Sequence, residues 1–198
     1  MRWLWLGVLL CAVTAGLYIY VFTVEAPAIT ALVDGMKLPD AVLFGYDVGQ
    51  ARTLFDAFVS DHRAAQLEGR QSASEAYLAL HAGLDLVLPP LLAASIGFCA
   101  FAALFGRAES NRLPRAIGIA FALTLVSAFT FLGCDFIENS VADAMFAPKA
   151  LALSFNDQLV FVLQVLTRGK YASLLVASGL IATLWVWRWA SKPAPQVD

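Results

Sequence analysis

The chain has 198 residues, of which 60% are hydrophobic and 14% charged, with a mean hydropathy of +0.73. Soluble domains run nearer ~45–50% apolar and ~25% charged, so this composition excludes an ordinary soluble domain and indicates a membrane protein of single-domain length. A formal charge of −2 and 13 scattered Lys and Arg residues supply no basic patch for phosphate, which argues against a nucleic-acid partner.

A bilayer-crossing helix needs ~20 mostly apolar residues, and four runs meet that length. The first, about residues 3–24, reads WLWLGVLLCAVTAGLYIYVFTV without a charge. APA at 26–28 resembles a signal-peptide cleavage site, but a signal h-region is only ~7–15 residues long and follows a basic segment. A 22-residue run behind Arg2 alone favours a retained helix. Trp3 and Trp5 open this span, and Trp185, Trp187 and Trp189 close the last. Tryptophans collect at interfaces, so an even number of spans puts both groups on one side.

Residues 25–77 hold eight acids against four bases, too many charges for lipid. Pro39 and Gly45 mark turns, and Asp47 is positioned to cap a helix. Beyond it Val48, Ala51, Phe55, Phe58, Val59 and His62 recur at spacings of three and four, which predicts an amphipathic helix stopping at Gly69. Its apolar face packs on the bundle, lies on the membrane surface or covers a site; packing is the simplest of these. In SASE, Ser72 and Glu75 have capping-box spacing and start the next helix outside the apolar run.

The second span covers about 78–105. Tyr77, His81 and Asp85 are four residues apart and share a face, and Asp85 lies ~10 Å along the apolar run. Pro89 and Pro90 remove the ladder hydrogen bonds to the carbonyls of Asp85 and Leu86, predicting a kink beside the acid. The connection GRAESNRLPR follows, with Arg107, Arg112 and Arg115. The third span, about 116–137, ends in DFIENS, placing Asp135, Glu138 and Asn139 where a helix leaves the membrane. The fourth, about 160–189, carries Arg168 and Lys170 near its start, and Arg188 and Lys192 close the chain. Short-loop Lys and Arg mark the cytoplasmic side. The predicted fold is therefore all-α: a four-transmembrane-helix bundle in a bacterial inner membrane, both termini cytoplasmic, with a helical insertion exported between the first two spans.

In that topology His81, Asp85, Asp135, Glu138, Asn139, Arg168 and Lys170 converge at one level of the outer half, with Tyr77 nearby. Three readings of the cluster stay open. Asp85 and Asp135 bond to Lys170 or Arg168 and tie three helices together. Alternatively, a pocket accepts a membrane lipid or other amphiphile, its head meeting Lys170 and Asn139 while a carboxylate exchanges a proton. The third reading is a metal held by His81, Asp85, Asp135 and Glu138, without a stronger signature such as HExxH. No GxSxG motif or Gly-rich phosphate loop is present, His62 and His81 have no evident nucleophile beside them, and no internal repeat suggests a transporter. No cofactor is predicted, and no oligomer. Cys11, Cys99 and Cys134 lie in apolar runs as small packing residues. GxxxA at Gly118 to Ala122 and GxxxT at Gly179 to Thr183 suggest close helix contacts.

The order of these elements resembles a pattern in uncharacterised bacterial four-helix integral membrane proteins. Its parts are Gly45 and Tyr46, Gly69 and Arg70 with Tyr77, Leu84 and Asp85 with Pro89, Asp135 with Glu138 and Asn139, and Thr167 with Lys170. The likeness spans residues 45–170 and implies the topology above, with these positions acting as a set; it implies no activity. A more distant likeness in architecture is to the emopamil-binding and sigma-2 receptor type. Buried acids in those small bundles bind sterol-like or cationic amphiphiles and, in some members, serve a sterol double-bond shift. The long exported segment departs from that type.

Overall fold

The computed structural model describes residues 2–43, 45–105 and 114–191. Arg107, Arg112 and Lys192, used above to orient the bundle, lie outside the described residues, as does the side chain of Arg2. Among the described residues the chain is helical, without strands. Four runs are long and apolar enough to cross a membrane: Trp3–Ala31, Ala73–Leu104, Arg115–Phe146 and Asp157–Ala190. The protein is an all-α helical bundle of the membrane class, and large apolar side chains such as Leu6, Phe129, Phe161 and Leu175 cover its exterior.

The first run consists of α1 (Arg2–Tyr20), a π-helical turn (Val21–Glu25) and α2 (Ala26–Ala31). It passes the expected boundary at residue 24 by about two turns. Pro27 lacks a ladder N–H, and its ring crowds the carbonyl four residues back. The wider π turn stands just ahead of it, with the Ala26 N–H reaching Val21 O, and the helix continues. This run is built into the bundle: Trp3 packs edge-on against Phe98, Phe101 and Phe105, and Thr14 Oγ1 lies 2.9 Å from Ser95 Oγ. Cys11 and Cys99 meet across the same seam, their Sγ atoms 3.9 Å apart.

The amphipathic helix forms as predicted. Asp47 accepts from the Gln50 N–H at 2.7 Å, Gln50 Oε1 accepts from the Asp47 N–H at 3.1 Å, and α3 (Val48–Glu68) follows. It stops at Gly69, whose φ of 68° is in the left-handed region that favours glycine. The buried face is Ala51, Leu54, Phe55, Phe58, Asp61 and Ala65; Val48, expected on that face, is exposed at the helix start. Phe58 meets the rings of Tyr77 and Phe146, and Phe55 that of Phe155, so α3 packs across the bundle's end. Buried Asp61 accepts from Arg70 Nη2 at 2.7 Å and from the Ala73 N–H at 2.6 Å, closing the turn after α3. Asp61, with Glu68, holds the Arg70 guanidinium above its ordinary pKa.

The predicted Ser72–Glu75 capping box opens α4 (Ala73–Ala82), and α5 (Leu84–Leu104) continues the span. Pro89 and Pro90 both lie inside α5, and the interruption falls upstream of them at Gly83. There the backbone has φ −111° and ψ −96°, and a Cβ would stand 3.0 Å from the Ala79 carbonyl oxygen. The irregularity adjoins Asp85, as expected, but glycine rather than proline marks it.

The largest departure from expectation is α6 (Arg115–Phe146), which runs straight through DFIENS. No helix breaker occurs before Pro148, which holds Ala147 in an extended conformation. Ala142, Met145 and Phe146 of the last turns are buried beneath α3 and α4, and the Ser74 hydroxyl donates to the Phe146 carbonyl. After a short turn Asn156 caps α7 (Asp157–Ala190), accepting from the Gln158 N–H at 3.0 Å.

At the other end Arg188 Nη1 donates to the carbonyls of Ala102, Ala103 and Phe105 at 3.0, 3.0 and 2.9 Å, neutralising the C-terminus of α5. The start of α1 and the ends of α5 and α7 therefore share one end, where the tryptophans gather. The spans alternate in direction. Helix contacts use Ala100, Ala103, Ala120, Ala128 and Ala177. The GxxxT at Gly179 does not contribute, because a Cβ there would meet nothing within 4 Å and Thr183 is exposed.

Asp61→Ala should remove a charged acceptor from two donors and cost about 1.5–3 kcal/mol. A lower melting temperature in detergent, with faster proteolysis at the Gly69–Gln71 turn, checks it.

Candidate functional site

Two long helices supply the charged centre. On α6, Asp135, Glu138 and Asn139 stand three and four residues apart on one stripe; on α7, Thr167 and Lys170 do the same. Lys170 Nζ lies 3.1 Å from Asp135 Oδ1 and is also ion-paired to Glu138. The Thr167 hydroxyl stands within hydrogen-bond reach of both the Glu138 carboxylate and Leu163 O, the latter at 2.8 Å, so its one hydrogen serves either acceptor. Glu138 is 0% exposed, and Asp135, Asn139 and Lys170 are buried around it. A carboxylate at that depth is tolerated because an ammonium and a hydroxyl replace its water.

Beside this centre lies a cavity of about 80 Å³ that reaches all four spans. Asp85, Asp135, Asn139 and Lys170 form its polar wall; Val21, Leu88, Leu92, Phe131 and Leu174 are among its apolar residues, and Pro89 adjoins Asp85. One water needs ~10–15 Å³ by this measure, so the space suits several waters or one small polar group.

His81 belongs to a neighbouring arrangement. Its Nδ1 lies 2.6 Å from Asp143 Oδ1, its Nε2 stands 4.0 Å from Asp85 Oδ2, and its ring lies 4.2 Å from that of Tyr77. An imidazole anchored at Nδ1 has the orientation of its other nitrogen set for it. His81, Asp143, Asp85 and Asn139 line an open groove of about 300 Å³. Asp85 and Asn139 also line the inner cavity, so these two side chains form the partition between groove and cavity.

The structure thus brings Asp85, Asp135, Asn139 and Lys170 to one cavity, with Glu138 behind Lys170 and His81 beyond Asp85. Two expected members lie elsewhere. Tyr77 is packed among Phe58, Phe146 and His81 beneath α3. Arg168 is exposed, since two residues from Lys170 is ~160° around the helix axis. The metal reading also loses its geometry. Asp135 and Glu138 turn to Lys170 while His81 and Asp85 border the groove, and among the described residues no three His, Cys, Asp or Glu side chains assemble to hold an ion.

Asp143 is the residue that sequence reasoning missed. It continues the stripe of Asp135 and Asn139 at four-residue steps, a signal hidden once the third span was ended at residue 137. Thr167 entered only through the family resemblance, though its spacing from Lys170 places it on the same face.

Glu138→Ala should leave Lys170 with one partner fewer and lower stability by about 3–5 kcal/mol. Thermal unfolding in detergent would measure it. The double variant Glu138→Gln with Lys170→Met should lose less than the two single losses summed, the signature of direct coupling. Comparison of the chain with protein-family models, curated proteins and solved structures finds no match, so the function rests on the site's own geometry.

Proposed function

We propose that this membrane protein binds a lipid-like or amphiphilic small molecule in the cavity between its four spans. One observation carries the reading: a single cavity is lined both by Asp85, Asp135, Asn139 and Lys170 and by hydrocarbon side chains. Such a division matches a molecule with a polar head and an apolar body. The cavity receives the head, which meets Asn139 and Lys170, and the first carbons behind it, which lie against Leu88, Leu92, Phe131 and Leu174, while the rest of the body stays in the bilayer. The more distant architectural likeness, to bundles whose buried acids bind sterol-like or cationic amphiphiles, supports the same reading.

The membrane we assign is a bacterial inner membrane, with both termini in the cytoplasm and α3 outside. Arg115 and Arg188 stand at the end shared with the start of α1, whereas the acid-rich segment stands at the other, which agrees with the distribution of positive charge.

A second reading is that the charges only fasten helices. The full burial of Glu138 between Lys170 and Thr167 favours it for that residue. Asp135 separates the readings because it both lines the cavity and pairs with Lys170. Native mass spectrometry of the wild type should show a lipid-like adduct near one per chain. Asp135→Asn should remain folded, melt within a few degrees of wild type and lose most of the adduct. A bare wild-type protein together with an unfolded Asp135→Asn variant would leave fastening as the sole role.

A further inference from the structure

The cavity's walls are unequal. Leu88 and Phe131 on α5 and α6 are buried, but on α1 the wall is one side chain thick. Tyr18 and Phe22 line the cavity and are also 43% and 38% exposed on the outer surface. The first run is the least buried of the four, with 17% of its most apolar stretch enclosed against 22% to 33% in the others. It packs along α5 and far less against α7, so the α1–α7 seam is loose. The cavity therefore faces the α1–α7 seam, where Tyr18 and Phe22 line it from one helix and Tyr171 and Leu174 from the other.

The backbone of this thin wall is irregular at the same level. Val21 and Phe22 open the π turn, and both line the cavity. A π turn departs from the regular ladder and recurs at functional sites. The Tyr18 and Phe22 rings, their centroids 4.5 Å apart, stand at the start of this turn, Tyr18 just ahead of it and Phe22 within it.

Charge and size narrow what passes. Lys170 already faces Asp135 and Glu138, and Asp85 adds another acid to the wall, so there is no surplus positive charge for an anion. About 80 Å³ holds roughly six water-sized groups, which suits a small head and not a phosphodiester one. The wall offers donors at Lys170 and Asn139 and acceptors at Asp85 and Asp135, a set that a hydroxyl can use in both directions.

We propose that the gap between α1 and α7 is a lateral portal through which a bilayer-dissolved amphiphile with a small, non-anionic hydrogen-bonding head slides into the cavity. This rests on the amphiphile reading above and adds the route and the head chemistry. The test places a reporter inside: Phe131→Trp, or Leu174→Trp should the first fail to fold, in bilayer nanodiscs. The five native tryptophans lie at the opposite end, so emission in excess of wild type reports the cavity. Dibromostearyl alcohol and, at alkaline pH, dibromostearate are the quenching probes.

The alcohol should quench the added tryptophan several-fold more strongly than the carboxylate does. Bridging Tyr18→Cys to Tyr171→Cys with a cleavable bifunctional thiol reagent, in a chain with Cys11, Cys99 and Cys134 changed to Ala, should abolish that quenching. Cleaving the bridge should restore it. Quenching that survives the bridge overturns the portal and leaves the amphiphile reading standing. Stronger quenching by the carboxylate overturns the proposed head, and no quenching by either probe overturns both readings.

Discussion

Lys170 brings a buried ammonium into a membrane-spanning helix, and the carboxylates of Asp135 and Glu138 on the adjacent helix keep it there. A charge at mid-bilayer costs at least ~2.5–3.5 kcal/mol on insertion scales, so neither partner is affordable without the other. Because the pair joins α6 to α7, it sets how those helices are rotated about their axes. That rotation in turn decides which side chains look into the cavity: Asp135 and Asn139 from α6, Lys170 and Leu174 from α7. Glu138 is turned fully inward, and Thr167 supplies the hydroxyl that completes its shell.

The same constraint explains the division between cavity and groove. With Asp135 committed to Lys170, Asp85 stands between two polar environments, bordering the inner cavity on one side and the His81–Asp143 pair on the other. Helix α5 can present Asp85 in this way because the span is interrupted at Gly83, just ahead of it, and because Pro89 and Pro90 supply no ladder bond to the carbonyls of Asp85 and Leu86. Helix α3 closes the end of the bundle above this region through Phe55 and Phe58, and it holds the last turns of α6 in place. Those turns carry Asp143, so the packing of α3 reaches the site through Phe146 and Tyr77.

Much of this architecture could be read from the chain. The number of spans, the caps at Asp47 and Ser72, the stop at Gly69 and the placement of the tryptophans each depend on residues within one helix or one turn. The helix ends were less legible, because hydropathy marks where apolar residues stop, while a helix stops at a proline or a cap. DFIENS shows the difference: its carboxylates end an apolar run, yet the helix of 32 residues continues for about two turns beyond Glu138. Residues 25–31 show it again at the π turn, where a proline fails to end the helix.

What the sequence alone determined is local: four apolar lengths, their alternating direction and the stripes on which charges of one helix are grouped. Which stripes face one another was decided only in the tertiary structure. Arg168 and Lys170 look equivalent in sequence, but packing turns Lys170 toward α6 and leaves Arg168 exposed. Asp143 meets His81 only because α6 extends under α3, and Tyr18 and Phe22 wall the cavity only because the first run leans on α5 and not on α7. Each outcome depends on rotation and contact between separate helices, which the periodicity of a single helix does not encode.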